Sequence, residues 1–260
     1  ITLITDCYDA NAAGRQSVRL SGLFNITPTI IGVHSDLEAA GNLIDALDAA
    51  EDRPGVFIVN VAPRNGKAKK WPNGTPFCYF RYRQSLIISS VDGLALSLAK
   101  KLGIVTTLRV LDIPTACEAM ITEGALDATL ADTIRTTQFR SFEFLPRVAH
   151  FLSNNQDIVG EDWPISNITD APQAIWWIDN FGNAKTTLFG TELKQTNGLI
   201  ETCVGLLPVY QHLSQVPDGM TALTEGSSGL GTQRFIELVI QGESVAKKYG
   251  LASGQLLLEK

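Results

Sequence analysis

Three short β-prone runs separated by two helical stretches constrain the opening of this chain more than any other feature. Residues 1–5 form the first run and end at Asp6. Residues 9–24 have helical character, with apolar positions at Val18, Leu20, Leu23 and Phe24. A second run, 29–33, leads into His34 and Ser35; an Ala- and Leu-rich helical stretch follows at 37–50, and a third run, 56–61, ends at Ala62 and Pro63. Strand and helix in alternation predict a parallel α/β layer. Ligands in such sheets bind beyond the carboxyl ends of the strands. Asp6, His34, Ser35 and the turn at 62–66 all fall at those ends.

Beyond this layer, residues 64–74 are polar and carry Lys67, Lys69 and Lys70, which reads as a loop, functional or merely solvated. Residues 77–83 and 86–89 read as a strand pair, 92–102 as a helix closed by Gly103, 104–111 as a strand and 119–131 as a helix. The stretch 139–151 is aromatic-rich. Residues 154–172 are rich in Asn, Asp and Pro and read as a linker. After it come β-prone runs at 174–179, 184–189, 200–207 and 235–240, a short helix at 244–249 and a last strand at 255–258. The expected architecture is therefore an α/β N-terminal domain at 1–155, a mostly parallel sheet with flanking helices. A linker at 156–172 and a small all-β, barrel-like C-terminal domain at 173–260 complete it.

The totals exclude several classes. With 260 residues the chain has room for one large domain or two modest ones. A net charge of -6 argues against a general nucleic-acid binder. No apolar run reaches the roughly 18 residues of a membrane span, and a β-prone run from residue 1 leaves no visible signal segment. Cys7, Cys78, Cys117 and Cys203 are far apart and form no CxxC pair, so they read as buried thiols of a reducing, cytoplasmic compartment rather than a disulfide frame or a zinc site. Having only three histidines argues against a multi-histidine metal centre, and no metal ligand set is assigned.

The richest local signal is Asp179-Asn-Phe-Gly-Asn183, between two β-prone runs. The stretch reads as a strand-turn-strand. Its residue types suit a nucleoside or amino-acid ligand: Asp179 for an ammonium group, Phe181 to stack on a flat ring, Asn183 to pair with a heteroaromatic edge. They are equally the residues of an ordinary hairpin turn. Gly226-Ser-Ser-Gly229 is a weaker signal, an anion nest or a flexible turn.

Taken together, several pieces resemble the S-adenosylmethionine-dependent fluorinase, chlorinase and hydroxide adenosyltransferase superfamily. The opening Ile1-Thr-Leu-Ile-Thr-Asp6 resembles that family's first strand, which ends in Thr-Asp. Asp179-Asn-Phe-Gly-Asn183 resembles its Asp-x-Phe-Gly-Asn turn, Ser227-Ser228-Gly229 its Asn-Ser-x-Gly segment, and the stretch from Gly242 to Gly254 its closing Leu-x-x-Gly stretch. The matches keep their order and span nearly the whole chain, so the specificity lies in the set. The resemblance implies a homotrimer whose sites lie between the N-terminal domain of one subunit and the C-terminal domain of the next. It also implies roles. Asp6 would grip both ribose hydroxyls, unless it is only a helix cap. Asn11 would lie near the methionine amino group and Asp179 would receive it. Phe181 and Tyr210 would flank adenine, Asn183 and the backbone at Gly242 would read its edge, and Ser227 and Ser228 would hold the methionine carboxylate. S-adenosylmethionine is then a substrate and no cofactor is implied.

The implied reaction displaces methionine at ribose C5′, and the protein's task is to align and desolvate the nucleophile. Here the sequence departs from the family. Hydroxide-using members have Asp-Pro-Gly-Val-Gly, a following arginine and a His-Gly-Arg-Asp segment. This chain has Ala62-Pro-Arg-Asn65-Gly66, lysines at 69 and 70, and Phe139-Arg140-Ser141-Phe-Glu143. The Asp-Arg-His triad is absent as such. Ser141 falls where the fluorinase has its halide-binding serine, but the rest of that pocket is unmatched. The sequence leaves three readings: hydrolysis by water with Asn65, Arg140, Ser141 and a lysine as a rearranged set, a halide as nucleophile, or a nucleoside binder without catalysis. His34, at a strand end, is the best placed of the three histidines to act as a base, although a buried structural histidine is the default reading. A generic α/β enzyme is a further alternative. No GxGxxG, GxxxxGK[ST] or GxSxG motif supports a dinucleotide, triphosphate or hydrolase site.

Overall fold

The computed structural model describes residues 1–62 and 75–258. Asn65, Lys69 and Lys70 lie outside the described residues. The chain divides into two compact units, Ile1–Ala46 with Ala50–Thr169, and Leu47–Ala49 with Asp170–Lys260.

The first unit is an α/β layer. Its opening elements are β1 (Thr2–Thr5), α1 (Ala10–Phe24), β2 (Thr29–Gly32), α2 (Asp36–Ala49) and β3 (Val56–Asn60). There follow β4 (Phe77–Tyr82), β5 (Ser85–Ser90), α3 (Ser97–Lys101), β6 (Thr107–Val110), α4 (Ile113–Thr122), α5 (Ala128–Thr136), α6 (Arg140–Glu143), α7 (Leu145–Ser153) and β7 (Glu161–Pro164). The seven strands form one sheet in the order β2-β1-β3-β5-β4-β6-β7. β2, β1, β3 and β5 run parallel, and β4, β6 and β7 are added antiparallel. The chain moves from β1 to β2 on one side, then back across β1 to β3. With right-handed crossovers, that reversal sends α1 and α2 to opposite faces of the sheet. Both faces are accordingly apolar: Leu3 and Ile4 are adjacent in β1 and both are buried. One face packs Leu3, Ile58 and Ile88 against Leu20, Met120, Phe144, Val148 and Leu152. Each such side chain, fully withdrawn from water, contributes about 1.5–3 kcal/mol before conformational entropy is subtracted.

The second unit is a six-stranded sheet, half a barrel, with strands β8 (Ile175–Ile178), β9 (Ala184–Phe189), β10 (Leu199–Thr202), β11 (Gly205–Tyr210), β12 (Thr221–Leu230) and β13 (Gln233–Ile240), and a helix α8 (Val245–Tyr249). The order is β10-β11-β12-β13-β9-β8. Alternation in β13 sends Ile236, Leu238 and Ile240 to one core with Ile175, Leu188, Leu223 and Val245.

Several expectations are corrected. The helix expected at 92–102 begins only at Ser97. The one expected at 119–131 is two helices, because Asp127 caps a new one: its carboxylate accepts from Leu130 N at 2.9 Å. The supposed linker contains β7, whose Leu108–Trp163 pairing makes it an edge strand. Polar composition misled there, since an edge strand tolerates Asp, Glu and Pro. The run 200–207 is a hairpin of β10 and β11, and 255–258 holds only an isolated bridge, Ala174 to Leu256. Gly226-Ser-Ser-Gly229 lies inside β12, at a bulge opposite β13, and is no separate turn.

Candidate functional site

The candidate residues read from the sequence fall in both units. In the first unit, strand order reverses between β1 and β3, and in open α/β sheets ligands bind at the carboxyl ends of strands at such a point. Asp6 is the residue that follows β1. Its backbone N–H extends the ladder to Asn60 O at 3.3 Å, and its Oδ2 accepts from Ala62 N at 3.3 Å. Cys7 Sγ donates to Oδ1 at 3.5 Å. The carboxylate is half-buried at the switch point, fixed by the strand on its far side. The α1 cap is a different residue, Asp9, whose Oδ1 accepts from Asn11 N and Ala12 N. Asp6 is therefore not the helix cap.

Because β1 and β2 pair with Thr5 opposite Gly32, the loops after them run side by side. That brings Tyr8 to His34, with Oη 2.6 Å from Nε2 and the rings edge to face at 5.3 Å. Glu38, on the first turn of α2, accepts from His34 N at 2.7 Å and lies 3.4 Å from Nδ1. Sequence reasoning singled out His34 but missed both partners. The Ser35-x-x-Glu38 spacing, a capping-box pattern, is the one signal that pointed to Glu38; Glu38 N does donate to Ser35 Oγ, at 3.1 Å.

Arg140 and Ser141 sit on α6, which is tied to α1: Gln16 Nε2 donates to Ser141 O at 3.0 Å, and Arg19 donates to Glu143 at 3.2 Å. The Arg140 guanidinium lies 5.9 Å over the Phe77 ring, and burial lowers its pKa from the usual guanidinium value. It borders a cavity of about 760 Å³ with Phe77, Asp112 and Glu161, which Ser141 does not line. Asn11 is exposed on α1 and borders another cavity, of about 420 Å³, with Arg15 and Phe142. A wider cavity, about 870 Å³, contains none of the sequence candidates. Its arginines are held by Leu152 O, Gly160 O and Asp162.

In the second unit the Asp179–Asn183 turn joins β8 to β9. Asp179 Oδ1 accepts from Phe181 N at 2.9 Å and Asn183 N at 2.8 Å, and Oδ2 accepts from Asn183 Nδ2 at 3.0 Å. The carboxylate thus moulds the turn from inside, keeping about one of its four lone-pair sites for a ligand. Gly182, at φ +87°, has no room for a Cβ, which would overlap Ser244 Oγ. Gly182 O accepts from Ala246 N at 3.0 Å, so the turn is clamped onto the start of α8. The outcome is a Phe181 ring left 73% exposed on a rigid support. Phe181, Asn183 and Gly242 line one cavity of about 500 Å³, with Leu213 and Ser244. Three residues singled out in the sequence are therefore brought together.

Tyr210, Ser227 and Ser228 do not line that cavity. Tyr210 donates to Met220 Sδ at 3.4 Å and packs beside Val216. Ser228 is 2% exposed and its hydroxyl accepts from Lys185 Nζ at 2.7 Å. Ser227 O accepts from Arg234 at 3.0 Å. Lys185 lies two residues beyond the turn. Among the described residues, no cluster of three or more His, Cys, Asp or Glu side chains could hold a metal ion, and no helix is long and apolar enough to cross a membrane.

No protein-family model matches the sequence, and no curated protein matches it. Solved structures do resemble it over its whole length. An uncharacterised conserved protein from Thermotoga maritima superposes with a TM-score of 0.65 at 14% identity, covering 98% of this chain and 97% of that one. A conserved hypothetical protein from Thermus thermophilus gives a TM-score of 0.60 at 19% identity, covering 99% and 98%. At these identities the likeness establishes a shared two-part fold, an α/β sheet followed by a half-barrel.

Proposed function

We propose that this chain binds an adenine nucleoside, S-adenosylmethionine, and displaces methionine at ribose C5′ with water. The observation that carries the reading is the cavity lined by Phe181, Asn183 and Gly242. An exposed ring on a clamped turn offers a stacking face with little ordering cost. The bond from Asn183 Nδ2 to Asp179 turns Oδ1 the other way, as an acceptor for the exocyclic amine of adenine. Asp6, at the switch point of a parallel sheet, suits a bidentate grip on vicinal ribose hydroxyls. The ordered set of sequence matches to the fluorinase, chlorinase and hydroxide adenosyltransferase superfamily supports the same ligand. On that reading the protein is a homotrimer that completes its sites from neighbouring subunits.

Displacement needs no covalent intermediate, because the sulfonium already makes methionine a good leaving group. The half-buried Arg140 keeps a halide open as an alternative nucleophile. A second reading, a binder without catalysis, is favoured by Ala62: its methyl group cannot orient or deprotonate water.

The test is incubation with S-adenosylmethionine in isotopically labelled water, with and without chloride. The proposal expects methionine and adenosine labelled at the 5′-oxygen. Intact S-adenosylmethionine alongside measurable binding heat would select the non-catalytic reading, and 5′-chloroadenosine the halide reading.

A further inference from the structure

We propose that Tyr8, His34 and Glu38 form the proton-accepting relay of this site; the proposal rests on the nucleoside reading and deepens it. The three side chains come from the β1–α1 loop, the β2–α2 loop and α2, and meet at the carboxyl edge of the sheet. Tyr8 is two residues from Asp6. Its ring lies on the Gly32 backbone, where an added Cβ would come within 2.6 Å of Tyr8 Cγ. A side chain at position 32 would displace Tyr8, so the approach of the phenol to His34 depends on that glycine.

The order of the groups sets the direction of proton flow. Glu38 is buried, its side chain 7% exposed, while His34 is 73% exposed. A carboxylate held beside Nδ1 favours the Nδ1–H tautomer, which leaves Nε2 to accept the Tyr8 proton across 2.6 Å. Glu38 itself is held by the His34 backbone N–H and by its place on the first turn of α2, where the helix end favours negative charge. Buried carboxylate, imidazole and phenol hydroxyl thus follow one another in that order, and the tyrosine lies two residues along the chain from the proposed ribose-binding aspartate.

The chemistry balances as follows. A water molecule gives one proton to Tyr8 Oη as the phenol proton passes to His34 Nε2. The oxygen lone pair forms the bond to C5′. The C5′–S bond breaks with both electrons going to sulfur, which leaves as the neutral thioether of methionine. His34 becomes an imidazolium stabilised by Glu38, and its exposed ring returns the proton to bulk water. The relay supplies the base that Ala62 cannot.

The experiment compares wild type, Tyr8→Phe and His34→Gln by calorimetry and by turnover of S-adenosylmethionine. The nitrogen-15 spectrum of the His34 ring is recorded in wild type and Glu38→Gln. Tyr8→Phe keeps the ring on Gly32 and deletes only the hydroxyl. The relay predicts turnover reduced about 100-fold or more in both variants, affinity within about threefold of wild type, and an Nδ1–H tautomer lost in Glu38→Gln. Wild-type turnover in Tyr8→Phe or His34→Gln, or an Nε2–H tautomer in wild type, overturns the relay and leaves the nucleoside reading standing. A wild type that binds the substrate without converting it also overturns the relay alone. Absence of binding by the wild type overturns the nucleoside reading, and the relay with it.

Discussion

At the residue scale, two aspartates do different work. Asp6 presents a carboxylate at a strand end, whereas Asp179 spends most of its hydrogen-bonding capacity on its own turn. Asp179→Ala removes an ionised acceptor from two backbone N–H groups and one amide, and is expected to cost about 2 kcal/mol. Urea unfolding checks it, and an unchanged midpoint contradicts the account of the turn. Gly182→Ala forces a Cβ into Ser244 at a positive φ; the expected loss is about 1–3 kcal/mol by the same assay. The turn was legible because its five residues are contiguous and its chemistry local. The Tyr8–His34 contact was not. Its partners are 26 positions apart and meet only because β1 and β2 pair in one register. Ser228 shows the opposite failure: its residue type suggested an exposed anion nest, and the strand buries it.

At the element scale, alternation of apolar and helical stretches located β1 through β5 and α1 and α2 to within a residue or two. The period of burial dominates there and few competing signals intrude. It failed where composition and burial part company. β12 begins with three consecutive buried residues, Ala222, Leu223 and Thr224, then carries Gly226-Ser-Ser-Gly229, which reads as a turn until β13 pairs with it across a bulge. β7 is polar because it is an edge. The antiparallel pair β4 and β5 offers its own test. Burial pushes the Cys78 thiol up from 9.0 to about 12. Burial, then the hydrogen bond to Asp157, lifts the Tyr79 hydroxyl from 10.0 to about 12. Both groups favour the neutral form in the folded state. Their contribution is fully present below about pH 9 and is lost as the pH rises toward 12. Stability measured between pH 8 and 12 should therefore fall through that upper window. In the native protein at neutral pH, a thiol reagent should modify exposed Cys7 and spare buried Cys78; equal labelling of the two contradicts this packing.

At the scale of the whole molecule, an α/β layer followed by a half-barrel was readable from the change in strand spacing near residue 170. The switch point between β1 and β3 was not, because strand order depends on which neighbours pair and leaves no mark in local sequence. The proposed homotrimer predicts a sedimenting species of three times the 28.2 kDa chain mass, and a monomer at micromolar concentration contradicts it. The proposed function requires a nucleoside held by Phe181 and Asn183 of one subunit and Asp6 of its neighbour. Calorimetric titration with S-adenosylmethionine and with adenosine, on wild type, Asp6→Ala and Phe181→Ala, tests this most directly. Saturable heat in the wild type, with affinity weakened about tenfold or more in each variant, is the predicted result, since a charge-assisted bidentate contact and a stacked ring are each worth at least ~1.4 kcal/mol. No heat at millimolar ligand, or equal affinity in all three proteins, would contradict it.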